Sequence, residues 1–354
     1  IAEIPGVSAV LGAAEKFRLF DLLPDFEKGH LTRVHRCTIE EAREFVPTWS
    51  QEGRTRSFLK IQDGCDYKCS FCTIPLARGA SRSESPERVL AQAQALAAAG
   101  VQEVVLTGIN LGDYGGPSGE SFFDVLVVLE ERSGLPRIRI SSIEPNLLED
   151  RIIDRIAGSQ RLMPHLHIPL QSGSDRILKL MRRRYVRQLY AERVKRIKRQ
   201  MPWACVGCDV IVGFPGETEA DFRETAAFLA DLPVDYLHVF TFSERSDTPA
   251  ASMPDAVPVA VRRERNETLR LLSQRKRTAF DRQFEGTIRP VLWEKNAQAG
   301  IAEGLTDNYI AVQTTDPLAP ANAIEQIKLK DYNATTQTYG GLGCPAPVEA
   351  GSSI

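Results

Sequence analysis

The sequence predicts an α/β protein: a partial barrel of six β/α units followed by a small all-β module. Three observations carry this reading. Six short apolar runs alternate with helical stretches between residues 57 and 242, which implies right-handed crossovers and a parallel sheet covered on both faces. Six units are fewer than a closed eight-fold barrel needs, so the barrel is open and its site lies at the C-terminal strand ends. Beyond residue 286 the texture changes to brief β-type runs separated by Gly, Asn, Asp and Pro.

Residues 1–50 read as a remnant plus a linker. The stretch 4–11, closed by Gly12, looks like the last strand and turn of a domain that begins upstream. Residues 40–49, broken by Pro47, are polar and irregular. The barrel takes residues 51–285. Its first strand, 57–62, ends at Asp63-Gly64. A helix over 88–99 is opened by the cap Ser85 with Pro86 behind it, and Gly100 stops it. Strand 103–106 leads into the loop Thr107-Gly108-Ile109-Asn110. Helix 122–132 precedes strand 138–143, and helix 148–157 precedes strand 165–170. A basic helical region, 175–200, comes before strand 208–212; helix 219–229 then leads to the sixth strand, 236–242. A long charged helix over 257–285 ends at Gly286. Residues 286–339 hold β-type runs at 289–294, 309–314 and 323–330, and 340–354 read as a flexible tail.

Composition excludes several classes. A chain of 354 residues with 43% hydrophobic and 25% charged residues is neither disordered, collagenous nor a coiled coil. The 44 basic and 46 acidic residues give a net charge of -2, so no whole-protein field draws nucleic acid. Local cations remain. Arg182, Arg183, Arg184, Arg187, Arg193, Lys195, Arg196, Lys198 and Arg199 cluster, and the segment 262–277 is a second such run. Each is either a solvated helix face or a phosphate-contacting patch. No apolar run approaches the roughly 20 residues of a membrane span, so no membrane partner is expected. Seven cysteines, an odd number, point to a reducing compartment, the cytoplasm, with metal or redox chemistry.

Cys65, Cys69 and Cys72 form C-x-x-x-C-x-x-C in the loop after the first strand. A structural zinc ion would want a fourth ligand, and no cysteine or histidine stands at short range. The alternatives are a zinc site completed from afar, three buried thiols, or a [4Fe-4S] cluster held by three thiolates with one iron open to a small molecule. Cys205 and Cys208 also form C-x-x-C, but Cys208 begins a core strand, and buried thiols are expected there.

The cluster loop resembles the radical S-adenosylmethionine (SAM) superfamily. Residues 64–75 (GCDYKCSFCTIP), followed by Ala77-Arg78-Gly79 and Ser81-Arg82-Ser83, resemble its methylthiotransferase branch. Thr107-Gly108-Ile109-Asn110 and residues 141–145 (SSIEP), 167–174 (HIPLQSGS), 209–217 (DVIVGFPGE) and 243–250 (SERSDTPA) are similar to the subfamily acting on N6-threonylcarbamoyladenosine at position 37 of tRNA. Residues 304–310 (GLTDNYI) resemble the TRAM domain, a small RNA-binding barrel.

The resemblance implies a radical SAM type of partial barrel. Cys65, Cys69 and Cys72 would hold a [4Fe-4S] cluster whose open iron is chelated by SAM, and reduction would yield a 5′-deoxyadenosyl radical that abstracts the C2 hydrogen of the base. Phe71 matches the position whose backbone contacts adenine. Gly108 and Asn110 match the loop that approaches the methionine amino group, where a side chain would block close approach. Glu144, Gln171 and Ser172 are strand-end polar groups suited to ribose hydroxyls or the methionine carboxylate. Arg184 and Asp209 are further SAM contacts, and Val212 opens an apolar strip for the adenine ring. The implied partners are the tRNA anticodon loop, a reducing electron donor and a sulfur source. The alternative targets are isopentenyladenosine in tRNA and a ribosomal-protein aspartate. The alternative class is a non-catalytic iron–sulfur RNA-binding protein.

One part of the family pattern is missing. Members carry three further cysteines in an N-terminal domain, holding a second [4Fe-4S] cluster. Residues 1–36 contain none, and Cys37 alone cannot replace them. Ile1 in place of Met reads as a trimmed start, so the second cluster is expected from a missing N-terminal region. This chain is expected to cleave SAM without completing sulfur insertion.

Overall fold

The computed structural model describes residues 1–22, 32–41, 44–49, 55–115, 119–294, 301–315 and 320–343. Six parallel strands form its centre: β1 (Arg56–Lys60), β2 (Glu103–Thr107), β3 (Arg137–Ile140), β4 (His165–His167), β5 (Cys205–Val212) and β6 (Tyr236–Thr241). They lie side by side in chain order, as β1-β2-β3 and β4-β5-β6. The seam between β3 and β4 is carried by backbone bonds from Ile138 N to Arg161 O, from Met163 N to Ile138 O and from Ile143 N to His167 O.

β3 and β4 are shorter than the runs 138–143 and 165–170 suggested. Past them the ladder continues irregularly: Ser141 N donates to Leu106 O, and Ile168 N and Leu170 N donate to Gly207 O and Asp209 O. The chain leaves the regular pleat there because it is building the loops of the site.

Helices cover the sheet: α1 (Pro86–Ala98), α2 (Phe122–Arg132), α3 (Asp150–Gly158), α4 (Asp175–Leu180), α5 (Arg187–Gln200), α6 (Glu219–Asp231) and α7 (Val259–Arg282). Local chemistry sets their starts. The Ser85 hydroxyl accepts from Arg88 N ahead of Pro86, and Ser121–Asp124 and Thr218–Asp221 form reciprocal capping boxes, each cap contributing about 1 kcal/mol. Leu59, Leu106, Ile138, Leu166, Val206 and Val210 are fully buried in the core between the strands and the helices that cover them. Truncating one of them to alanine costs about 2–5 kcal/mol.

Five further strands close a small barrel in the order β7-β8-β9-β11-β10: β7 (Ile288–Trp293), β8 (Ala302–Thr306), β9 (Ala311–Thr314), β10 (Ile324–Asn333) and β11 (Thr338–Gly343). Three of these were legible as β-type runs. β8 and β11 were not: β8 is five residues with one β-branched side chain, and half of β11 is glycine. β11 corrects the expected tail, since residues 340–343 belong to a strand; Cys344 and the rest of that stretch lie outside the described residues. The expected linker 40–49 is also partly ordered, with a 3-10 turn at Ile39–Glu41 and the strand Thr48–Trp49 paired antiparallel to β1. Residues Ala9–Leu11 pair in parallel with Arg33–His35.

The small barrel seals the N-terminal end of the large one. Arg137 donates to Pro290 O and Leu305 O, Arg139 to Asp307 O, and Asn308 to Trp203 O. The Tyr309 ring stacks on His165 at 4.2 Å. Buried Glu103 holds Arg139 through paired 2.9 and 3.1 Å contacts. With that end plugged, the opposite end is left for chemistry. No described helix is long and apolar enough to cross a membrane.

Candidate active site

The loop after β1 carries Cys65, Cys69 and Cys72, with Cys69 buried and the other two half-buried. The loop is tied in place by Cys65 N donating to Gly79 O, Ser70 N to Met181 O, and Ser70 Oγ to Leu180 O. Burial pushes the Cys65 thiol up to about 11, against a bond from Tyr67 N, with Cys69 and Cys72 among the groups raising it further. Burial raises Cys69 as well, and Arg183 opposes it. Among the described residues, the His, Cys, Asp and Glu ligand atoms gathered within 4.8 Å belong to His167, Asp209 and His238. The three thiols of this loop are a separate donor set, of the kind that holds an iron–sulfur cluster.

Arg183 is the residue that organises this end. Its guanidinium lies 3.2 Å from Cys69 Sγ, pairs with Glu144, and donates to Tyr185 Oη at 3.2 Å. Burial raises the Glu144 carboxyl, and Arg183 works against that rise. Arg184, singled out from the sequence, turns to the cluster loop instead. It donates to Asp66 O at 2.9 Å and lies over the Tyr67 ring at 4.0 Å.

The loop after β2 is held by a residue that sequence reasoning missed. Gln62 Oε1 accepts from Ile109 N and Asn110 N at 2.8 and 3.0 Å, while its Nε2 donates to Gly64 O and Ser81 Oγ. A Cβ on Gly108 would meet Gln62 Oε1 at 2.8 Å. The glycine therefore admits Gln62, a different reason from the close ligand approach expected. Asn110 is 4% exposed, and both its amide oxygen and its nitrogen lack partners among the described residues.

The other expected contacts divide. Gln171 sits at the end of β4's loop with φ +69°, a strained left-handed backbone for a non-glycine residue. Asp209 accepts from His167 Nε2 at 2.9 Å and His238 Nδ1 at 3.3 Å; burial opposes its charge, yet these partners hold it down at about 2. Phe71 packs edge-on to Phe214 at 6.4 Å. Ser172 and Val212 point elsewhere. The Ser172 hydroxyl is spent on Thr225 Oγ1 and Ser174 N, and Val212 is fully buried in the central core. The Cys205–Cys208 pair is also split, Cys205 packing into the small-barrel core and Cys208 into the central one.

Residues 59–229 match the Radical SAM superfamily. The chain is 39% identical over 322 residues to the threonylcarbamoyladenosine tRNA methylthiotransferase MtaB of Bacillus subtilis, spanning 88% of this chain and 71% of that protein. Against the MtaB of Aquifex aeolicus it is 37% identical over 317 residues, spanning 88% and 76%. A tRNA-2-methylthio-N(6)-dimethylallyladenosine synthase of Bacillus subtilis is 33% identical over 301 residues, spanning 80% and 59%. The chain belongs to the radical SAM tRNA methylthiotransferases.

For a radical SAM methylthiotransferase, the residues present fit the cluster and SAM that the family implies. Three cysteine thiols on one loop are the donor set an iron–sulfur cluster takes, and the Asn110 amide, unpartnered among the described residues, leaves a buried donor and acceptor for a ligand to satisfy. The basic cluster is less available. Arg187 pairs with Glu224, Arg193 with Asp150, Arg196 with Asp150 and Asp154, and Lys198 with Asp235. In the second run, Arg262 and Arg265 are buried on Glu244 and Glu217, while Arg263, Arg270 and Arg275 stay exposed.

Proposed function

We propose that this chain acts as a radical SAM enzyme that methylthiolates N6-threonylcarbamoyladenosine in tRNA at C2, working in the cytoplasm. The observation that carries the reading is 39% identity over 322 residues, 88% of the chain, to a protein named for that reaction.

Cys65, Cys69 and Cys72 would hold a [4Fe-4S] cluster, and Arg183 would lie against the Cys69 thiolate, favouring its charged form. Asn110, with Glu144 and Gln171 nearby on neighbouring strand ends, would meet the polar groups of SAM, and Phe71 would flank its adenine. When bound, the cluster and SAM supply the radical that removes the C2 hydrogen atom. The protein's part is to orient the two and to keep water out, which the fully buried Phe214 and the aromatic packing of Phe71 and Phe242 around it support.

Residues 51–285 form the proposed catalytic unit, and the barrel from residue 286 the proposed RNA-binding unit. Exposed Arg263, Arg270 and Arg275 along α7, and exposed Arg182, Lys195 and Arg199 of the first cluster, offer cations for phosphate. Sulfur insertion would draw on a second [4Fe-4S] cluster, an electron donor and a sulfur source. Among the cysteines outside the cluster loop, Cys205 and Cys208 are buried in the fold and are not suited to hold it.

Anaerobic reconstitution with iron and sulfide, then reduction with SAM and threonylcarbamoylated tRNA, tests this. Expected are 5′-deoxyadenosine that disappears in Cys69→Ala, and no 2-methylthio product from this chain alone. An intact cluster that yields no 5′-deoxyadenosine would overturn the radical reading.

A further inference from the structure

The lumen of the large barrel holds a line of polar side chains, among them Asp209, which the family resemblance placed with the SAM contacts and which the fold sets between two imidazoles. His165 Nε2 lies 2.9 Å from Tyr236 Oη, and Tyr236 Oη lies 3.3 Å from His167 Nδ1. Beyond them come His167 Nε2, Asp209 Oδ1 and His238 Nδ1. We propose that His167, Asp209 and His238 bind one first-row transition-metal divalent cation.

The register of the sheet makes the site. Asp209 on β5 pairs with His238 on β6, while His167 on β4 pairs with Gly207, two residues before Asp209 on the same face of β5. Three adjacent strands therefore send two imidazoles and one carboxylate to one point, with one ligand atom from each within 4.8 Å of the others. The two imidazoles are stacked at 4.9 Å, so their nitrogens can turn to the same centre.

The surrounding residues fix this arrangement. Tyr236 Oη engages His167 Nδ1 and so turns Nε2 toward Asp209, the orienting partner that ligating histidines typically have. Room for the Tyr236 ring exists because residue 207 is glycine: a Cβ there would meet the ring carbon Cζ at 2.1 Å. His165 is kept out of the set, since its Nε2 is engaged by Tyr236 and its ring is stacked on Tyr309.

The donor set selects the ion. Two imidazoles and one carboxylate suit zinc, iron(II), cobalt(II) or nickel(II), whereas magnesium and calcium want an oxygen shell that this site lacks. Three protein ligands leave at least one coordination position open. The His238 side chain is 55% exposed, so water or another small ligand can reach that position from the open side of the barrel.

The test uses the cluster-loaded, oxidised chain, in which the cluster is diamagnetic and its cysteines are occupied. Cobalt(II) is added anaerobically, uptake is followed by equilibrium dialysis, and the bound ion by its high-spin paramagnetic resonance. Expected is one cobalt(II) per chain, with affinity lowered about tenfold or more by His238→Ala and binding lost in Asp209→Asn. His238 is exposed on an edge strand, so its variant keeps the fold, which circular dichroism checks. No uptake, or uptake that His238→Ala leaves unchanged, would overturn the proposal and leave a hydrogen-bonded His–Asp–His array that holds no ion.

Discussion

The Arg183 guanidinium lies 3.2 Å from Cys69 Sγ and is ion-paired with Glu144. The side chains of Arg183 and Glu144 are only 4% and 14% exposed, so removing the cation strands a carboxylate away from water. Arg183→Met is expected to lower unfolding free energy by about 3–5 kcal/mol. Adding Glu144→Gln restores much of that loss, because the stranded charge goes with it. Urea unfolding of the wild type, both singles and the double gives the coupling energy. Additive losses would mean that the two groups do not depend on each other.

A second expectation concerns acid. Ser174 Oγ, Arg176 Nε and Thr218 N donate to the Asp221 carboxylate at 2.9, 3.1 and 2.9 Å. Burial opposes its charge, but the bonds from Arg176, Thr218 and Ser174 hold it well below the usual carboxylate range. A folded value below the unfolded one means the stabilisation is complete above about pH 4 and fades as acid protonates the folded carboxylate. Asp221→Asn is therefore expected to cost about 1–3 kcal/mol at neutral pH. The gap from wild type should narrow steadily below about pH 4. A gap constant from neutral to acid would place the effect elsewhere.

The C-x-x-C at Cys205 and Cys208 predicts inertness. Burial pushes both thiols up to about 12, and they face different cores. Iodoacetamide at mildly alkaline pH should leave both unmodified until denaturant is added, as peptide mass spectrometry would read directly. Early modification of either, or a disulfide between them, would contradict the packing.

Local signals were legible in the sequence and directional ones were not. Helix α2 runs Phe122–Arg132 as periodicity indicated, and the Ser85 cap sits where its chemistry put it, because both depend on neighbours within a few residues. The choice between Arg183 and Arg184 depends on the turn after α4. There Arg182 adopts φ +58° and breaks the helical phase, so spacing no longer tells which side chain turns inward. Gln62 bonds across 47 and 48 residues, a separation that only the folded sheet closes. The His167, Asp209 and His238 cluster needs the register of three strands at once. Strand alternation gives the face of each residue and not its level.

Asn110 supports the sharpest expectation, because stability and binding should move in opposite directions. Its amide is buried with neither atom partnered among the described residues, a burden of about 1–3 kcal/mol on the free protein. Asn110→Leu keeps the volume and removes the polar atoms, so the cofactor-free chain should unfold at higher denaturant. If the same amide meets SAM, the variant loses those bonds, and the dissociation constant for SAM on the cluster-loaded chain rises about tenfold or more. Iron content should not change, since Asn110 is not a cluster ligand. A variant that is more stable yet binds SAM as tightly would show that the orphaned amide serves another ligand. A variant that is less stable would mean that the amide is satisfied by water in the free protein.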